Sequence, residues 1–310
     1  MTIIKCLIFS QPISGRFDAP NNKEQWYVRT QVKKSNVERG NLTTTAINNQ
    51  LDNINTNKEN DIWYVNQNIE WHKDQSEKHT FSATANYTFD KNNPTTFWNA
   101  SQSFLDRIKP IVQPLNTNQA SLRINQLNKN EKHHLHTVFK DFWVINNDNH
   151  IYTTIGNTHQ QEKFISNDFQ LLDDGAENDF SSNGFNNTTI LKHNDFFAGV
   201  HYKFRTGIFT FKQGAYAHNY NWRVNQSTSI KKDKWVVLPD FLMKIEFNKS
   251  KKIQLNYNLK TNFSNASKLA NRFYLQSYNS VFKGTPNLEN ELYHSARIRY
   301  SRFSLYRGLM

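Results

Sequence analysis

Long apolar runs are missing from this chain of 310 residues. No window approaches the roughly 18 to 20 consecutive apolar residues that a membrane-crossing helix needs, and the mean hydropathy of -0.78 agrees. Helical spans are therefore excluded. Spanning strands are not, because their alternation averages to near-neutral hydropathy and escapes such a window. Cysteine is almost absent as well: Cys6 stands alone, so an internal disulfide or a cysteine metal site is excluded. The phosphate-cradling patterns GxGxxG and the P-loop do not occur, nor does Gly-x-Ser-x-Gly. With no catalytic apparatus to assemble, the expectation is a protein that is not an enzyme and that carries no cofactor.

Aliphatic content is low too, since only 37% of residues are hydrophobic, yet 14% are aromatic: 23 Phe, 13 Tyr and 7 Trp among Asn, Thr, Ser and Lys. That is too much aromatic surface for a disordered polar chain and too little aliphatic matter for a thick two-sided core. A sheet with one apolar and one wet face reconciles the two. The net charge of +12 suits polyanions, including anionic lipid headgroups and lipopolysaccharide phosphates, but Lys and Arg are scattered and build no tail.

Period-two alternation is the strongest positive signal. Phe81, Ala83, Ala85, Tyr87 and Phe89 alternate with Ser82, Thr84, Asn86 and Thr88. Trp63, Val65, Ile69 and Trp71 oppose Tyr64, Asn66, Asn68 and Glu70, and Ile253, Leu255, Tyr257 and Leu259 oppose Gln254, Asn256, Asn258 and Lys260. Val200, Tyr202 and Phe204 oppose His201, Lys203 and Arg205; Phe241, Met243, Ile245 and Phe247 oppose Leu242, Lys244 and Glu246. Connections alternate in length. Short polar turns are expected at 73–78, 146–149, 206–207 and 248–251, and long polar stretches at 33–60, 90–120, 161–193, 225–234 and 262–291. Tight turns on one side and large loops on the other indicate an antiparallel meander across a membrane. Residues 207–224 and 235–247 are each long enough for the ~9 to 11 residues of a tilted spanning strand. Trp26, Tyr27, Trp63, Phe89, Trp143, Trp222 and Trp235 sit near strand ends, as interfacial girdles would. Pro94, Pro110, Pro114 and Pro286 fall in long loops. Pro239 falls inside a strand and needs an edge, a bulge or a bend.

A family resemblance rests on the C-terminal third. Lys244-Ile245-Glu246-Phe247, a tight turn, the strand beginning at Ile253, and Asn262-Phe263-Ser264-Asn265-Ala266-Ser267-Lys268-Leu269 resemble a hairpin and loop of TonB-dependent receptors of the Bacteroidetes type. Lys283-Gly284-Thr285-Pro286-Asn287-Leu288-Glu289-Asn290-Glu291 resembles the loop in which Gly284, Pro286, Leu288 and Glu291 match the family's pattern. Thr285 stands where Asn is usual and Asn290 where Pro is usual. Gly199-Val200-His201-Tyr202-Lys203-Phe204 and Phe209-Thr210-Phe211 also resemble barrel strands of that group.

The resemblance implies an all-β, antiparallel up-and-down transmembrane β-barrel in the cell outer membrane. It implies uptake of a siderophore, glycan or peptide, with TonB coupling only if a plug domain is supplied elsewhere. About ten spanning segments can be placed, against about 22 in outer-membrane transporters of this kind. The expectation is thus an incomplete barrel over residues 26–310, a slice, truncated product or split frame without plug or signal peptide, preceded by an unassigned segment 1–25. The apolar run Cys6-Leu7-Ile8-Phe9 is too short for a signal sequence, and Arg307-Gly308-Leu309-Met310 does not provide a closing aromatic residue.

Candidate ligands are sparse. His134 and His136 share a strand face, with His133 on the other; Glu70 and His72 pair in the same manner; Asp173, Asp174, Gly175, Glu177 and Asp179 form an acidic loop patch. None has the spacing of a metal site, so no metal is expected. Asn41-Leu42-Thr43 and Asn187-Thr188-Thr189 are chance sequons of an Asn- and Thr-rich chain. The expected partners are outer-membrane lipid and lipopolysaccharide, with no nucleic acid. A soluble all-β module binding carbohydrate or nucleic acid is the alternative, and the alternating connection lengths argue against it.

Overall fold

The structure is a computed structural model that describes residues 2–18, 23–47, 50–100 and 115–303. Pro110, Pro114 and Arg307-Gly308-Leu309-Met310 lie outside the described residues. The strands are β1 (Thr2–Asp18), β2 (Glu24–Ile47), β3 (Gln50–Asp74), β4 (His79–Ala100), β5 (Leu122–Val144), β6 (Asn149–Leu171), β7 (Glu177–Asp179), β8 (Asn187–Thr206), β9 (Phe209–Asn225), β10 (Ser229–Asn248) and β11 (Lys251–Asn262). They are followed by the single-turn helix α1 (Ala266–Leu269), a small hairpin of β12 (Phe273–Ser277) and β13 (Ser280–Lys283), and β14 (Glu291–Arg302). The long strands form one sheet in the order β1-β2-β3-β4-β5-β6-β8-β9-β10-β11-β14, every neighbour antiparallel, with β7 paired to β6 beside that path. Residues 2–18, unassigned from sequence, thus form a full strand paired to β2 from Thr2↔Asn41 to Asp18↔Gln25.

Alternation divides this wall into a bare face and a covered face. Register carries the apolar rows across neighbours: Trp26↔Trp71, Trp71↔Ala83, Ala83↔Phe139 and Phe139↔Ile155 continue one row through five strands. Phe139, Ile155, Val200, Trp235, Val237 and Ile298 are exposed there. Beyond the rows, away from the short turns, the same face turns polar at Lys34, Asp61, Lys91, Glu131, Lys192 and Asp233. Two expected girdle residues belong to the opposite face: Tyr27, whose partner is Glu70, and Trp222, which is buried.

The expected long loops are largely strand. Instead of a loop at 33–60, β2 and β3 stay paired out to Ile47↔Gln50. Likewise β4 continues to Ala100, β6 to Leu171, and β10 begins at Ser229. Asn-, Thr- and Lys-rich sequence therefore pairs as readily as apolar sequence once a neighbouring strand satisfies its backbone. Pro94 consequently lies in β4 and not in a loop.

Pro239 resolves as an edge position. The β10–β11 ladder ends at Asp240↔Asn258, one residue short of Pro239, whereas pairing to β9 runs past it through Pro239↔Ala215. A residue without an N–H sits where β10 has lost one neighbour.

The residues at 263–290 fold back onto the covered face instead of standing away from it. Ala266, Leu269 and Ala270 pack with Phe164, Leu191, Tyr220, Trp222 and Val224. Leu275 joins Phe180 and Phe185 over Ile54, Trp98, Ala100, Leu122 and Ile124. Gly284 makes this fold-back possible, since a Cβ there would come within 2.2 Å of the Lys268 carbonyl oxygen. Its N–H donates to the Ala270 carbonyl at 2.7 Å, and the Thr285 N–H donates to that of Lys268 at 2.9 Å. Gly284→Val is expected to detach residues 263–290 while leaving the wall intact. Trypsin cleavage after Lys268, Arg272 and Lys283 should quicken by roughly tenfold, the scale of 1.4 kcal/mol, with an unchanged β circular dichroism signal.

Candidate functional site

The covered face of β5, β6, β8 and β9 carries a row of stacked rings. Centroid distances are 6.4 Å for His134 to His136, 5.9 Å for His136 to Phe197, 5.1 Å for Phe197 to His218 and 5.3 Å for His218 to Tyr220. His193 continues it, 5.9 Å from Tyr220 and 4.1 Å from Phe263 of the folded-back segment. Register explains the continuity. Phe197 is opposite Gly156 on β6, where a Cβ would meet the Phe197 ring at 2.3 Å, so the ring lies flat over the backbone and reaches His136. Polar atoms fringe the row: His136 Nδ1 is 2.8 Å from Thr158 Oγ1, and His218 Nδ1 is 2.9 Å from Asp195 Oδ1. Ring faces edged by donors and acceptors suit a ligand with both apolar and polar surfaces.

The segment at 263–275 is held by side chains of the wall bonding its backbone. The Ala266 N–H donates to Glu162 Oε1 at 3.1 Å, and the Leu275 N–H donates to Asp168 Oδ2 at 3.0 Å. The Arg272 N–H donates to Asn187 Oδ1 at 3.0 Å, while Asn187 Nδ2 donates to the Phe273 carbonyl at 3.0 Å. Gln226 spans Leu269 and Asn271, donating to the Leu269 carbonyl at 2.6 Å and accepting from the Asn271 N–H at 3.1 Å. Gln126 Nε2 donates to Asp168 Oδ1 at 3.2 Å and also to the Leu275 carbonyl. These groups stand on strand extensions outside the bare apolar rows. Burial pushes the Asp168 carboxyl up to about 7, against the opposing effect of its bonds from Leu275 and Gln126. Glu162 is raised by burial as well.

Under the end of this segment, Gln160, Leu191, His193, Trp222, Phe263, Ser264, Leu269, Leu288, Glu289 and Asn290 enclose a cavity of about 20 Å³, room for roughly one water molecule. Burial lowers His193 to about 4, so its ring is neutral, and its Nε2 has no protein partner. The side-chain amide of Asn290 likewise has no partner for either atom.

The candidates read from sequence are distributed unevenly. His134 and His136 do share the covered face, whereas His133 lies on the bare face, 2.8 Å from the Tyr87 hydroxyl. His72 and Glu70 approach at 3.8 Å. The acidic patch is taken up locally: Asp173 bonds Arg123 at 3.1 Å and the Ala120 N–H at 2.9 Å, and Asp179 accepts from Ser181. Among the described residues no group of three or more His, Cys, Asp or Glu is arranged to hold a metal. Of the loop motif, Gly284 contacts α1, Leu288 lines the small cavity, Pro286 lies between them and Glu291 opens β14. The latching residues Gln126, Glu162, Asp168, Asn187 and Gln226 were missed, because on paper each reads as an ordinary polar residue of a wet face.

No family model and no curated protein matches the chain. Among solved structures, the ferric citrate transporter FecA in its unliganded form is similar at 8% identity and a TM-score of 0.47, over 86% of this chain and 44% of that one. The translocator domain of the autotransporter NalP from Neisseria meningitidis is similar at 9% identity and a TM-score of 0.31, over 97% of this chain and 88% of that one. The chain thus spans less than half the length of the ferric citrate transporter.

The Asp168 shift generates a pH prediction. A folded carboxyl raised from 3.8 to about 7 binds its proton more tightly than the released one. Its contribution is therefore fully present below about pH 4 and is lost as pH rises towards 7. Proteolysis of residues 263–290 should be slower at pH 5.5 than at pH 8, and Asp168→Asn should flatten that difference.

Proposed function

We propose that the chain is a wall segment of an outer-membrane uptake barrel of the TonB-dependent receptor type. The observation that carries this is the bare face. Its apolar rows run through the long strands beside the short turns and give way to Lys34, Asp61, Lys91, Glu131, Lys192 and Asp233 farther along β2, β3, β4, β5, β8 and β10. A soluble carbohydrate- or nucleic-acid-binding module would gain nothing from such a continuous exposed band, which in water is an aggregation hazard. In a bilayer the band faces hydrocarbon, and the covered face becomes the lumen wall.

On this reading the ring row and the folded-back segment face an entering ligand, with siderophore, glycan and peptide the classes implied by the resemblance. Energy coupling through TonB requires a plug from outside these 310 residues. No residue is assigned a catalytic role, and lipid and lipopolysaccharide are the partners of the bare face.

Fractionation tests the reading. The chain should stay with membranes through a high-salt wash and leave only with detergent; recovery in the soluble fraction would overturn it. A paired substitution adds a quantitative test. Val200→Lys, within the band, should cost about 2 to 4 kcal/mol of folding stability in vesicles. Gln254→Lys, on the covered face, should cost far less, as read by urea unfolding.

A further inference from the structure

The corner where β11 meets β14, beside a short turn, gathers positive charge from both strands. Lys249, Lys251 and Lys252 come from the turn and the start of β11, and Arg297, Arg299 and Arg302 from β14. Lys251 stands directly opposite Arg302 in the ladder, while Lys252 and Arg299 lie one step apart on the covered face, opposite Ser301 and Gln254. Like charges set opposite one another on neighbouring strands are destabilising. Carboxylates do not offset them. β11 has no acidic residue, and β14 has only Glu291 at its far end. The neighbouring Glu246, opposite Lys252 on β10, is bonded instead to Lys244 at 2.6 Å. Among the described residues none of these six cations forms an ion pair.

These side chains surround a hollow. Lys249, Ser250, Lys252, Arg299, Ser301 and Arg302 line a cavity of about 390 Å³, which is within the size range of small-molecule sites. The turn that frames it is fixed from both sides. The N–H groups of Ser250 and Lys251 both donate to Asn248 Oδ1 at 2.9 Å, and the Phe303 N–H donates to the Ser250 carbonyl at 2.9 Å. Those turn amides are thereby engaged, so an anion in this cavity is held by side chains. Four cationic heads and two hydroxyls match a group with several acceptor oxygens and more than one negative charge. That describes phosphate better than a single carboxylate.

We propose that this corner binds a phosphate group, carried either by a free oligophosphate or by a lipid headgroup. Arg299 and Arg302 supply planar forks, Lys249 and Lys252 point charges, and Ser250 and Ser301 hydroxyl donors. A phosphate placed among them turns mutual repulsion into attraction to a shared partner. Deterring unwanted pairing is the plainer role for charge on an edge strand. The other edge argues against it here: β1 exposes Leu7, Ile8, Phe9 and Ile13, and its turn-side charges Arg16 and Asp18 pair with each other at 2.9 Å. The site lies outside the ring row and the folded-back segment, and it does not depend on the outer-membrane reading.

Titration calorimetry on the purified full chain tests this with two probes, inorganic pyrophosphate and dihexanoyl phosphatidic acid. At least one is expected to bind, and the tighter of the two identifies the source as free phosphate or lipid headgroup. Lys252→Gln and Arg299→Gln, with β circular dichroism unchanged, should each weaken binding by roughly tenfold, the scale of one charge-assisted hydrogen bond. Lys231→Gln, which removes an exposed cation elsewhere on β10, should leave binding unchanged. A second measurement uses stability. In phosphate-free buffer Arg302→Gln should raise the urea midpoint by relieving the opposition to Lys251, and pyrophosphate should stabilise the parent chain more than this variant. Failure of both probes to bind would overturn the proposal, as would equal losses from Lys231→Gln, Lys252→Gln and Arg299→Gln.

Discussion

Everything in this structure depends on one constraint: a strand turns successive side chains to opposite faces, so a single register decides which residues stand on the bare face and which on the covered one. Slipping β5, β6 or β8 by one residue would send Phe139, Ile155 or Val200, respectively, to the covered face and bring Lys140, Thr154 or His201 to the bare one. Eleven strands locked in one register make such a slip impossible for any strand alone. The continuity of the apolar rows is the result.

The covered face solves a second problem by different means. Residues 263–275 cannot join the wall as a strand, because β11 and β14 already pair with each other. Their backbone groups are instead satisfied one at a time by Glu162, Asp168, Asn187 and Gln226, while Ala266, Leu269 and Leu275 bury apolar surface beneath them. Buried polar side chains normally demand partners, and here the partners are the backbone of a neighbouring segment. Packing and hydrogen bonding together hold it without a continuous ladder.

How much of this was legible in the sequence follows from the range of each signal. The faces at 81–89, 200–205, 241–247 and 253–260 were readable because period-two alternation is local. The extent of the strands was not: Asn-, Thr- and Lys-rich stretches such as 33–60 look like loops until a neighbour pairs with them. Of the ring row, only the shared face of His134 and His136 was visible, since Phe197, His218 and Tyr220 become their neighbours through pairings between β5, β6, β8 and β9. Gly284 was flagged through a family resemblance, and its physical reason appeared only with the Lys268 carbonyl in place.

The break at Pro239 has a mechanical consequence. Below it, β10 is stitched to β11 along the short stretch from Asp240 to Asn248; above it the stitching stops, while every other long seam continues well past that height. The last two strands thus share a backbone ladder with the wall only at that lower end, and above it they are held by side chains, through Tyr220 to Thr261 and through the latched residues 266–275. Under lateral load the molecule should part there first.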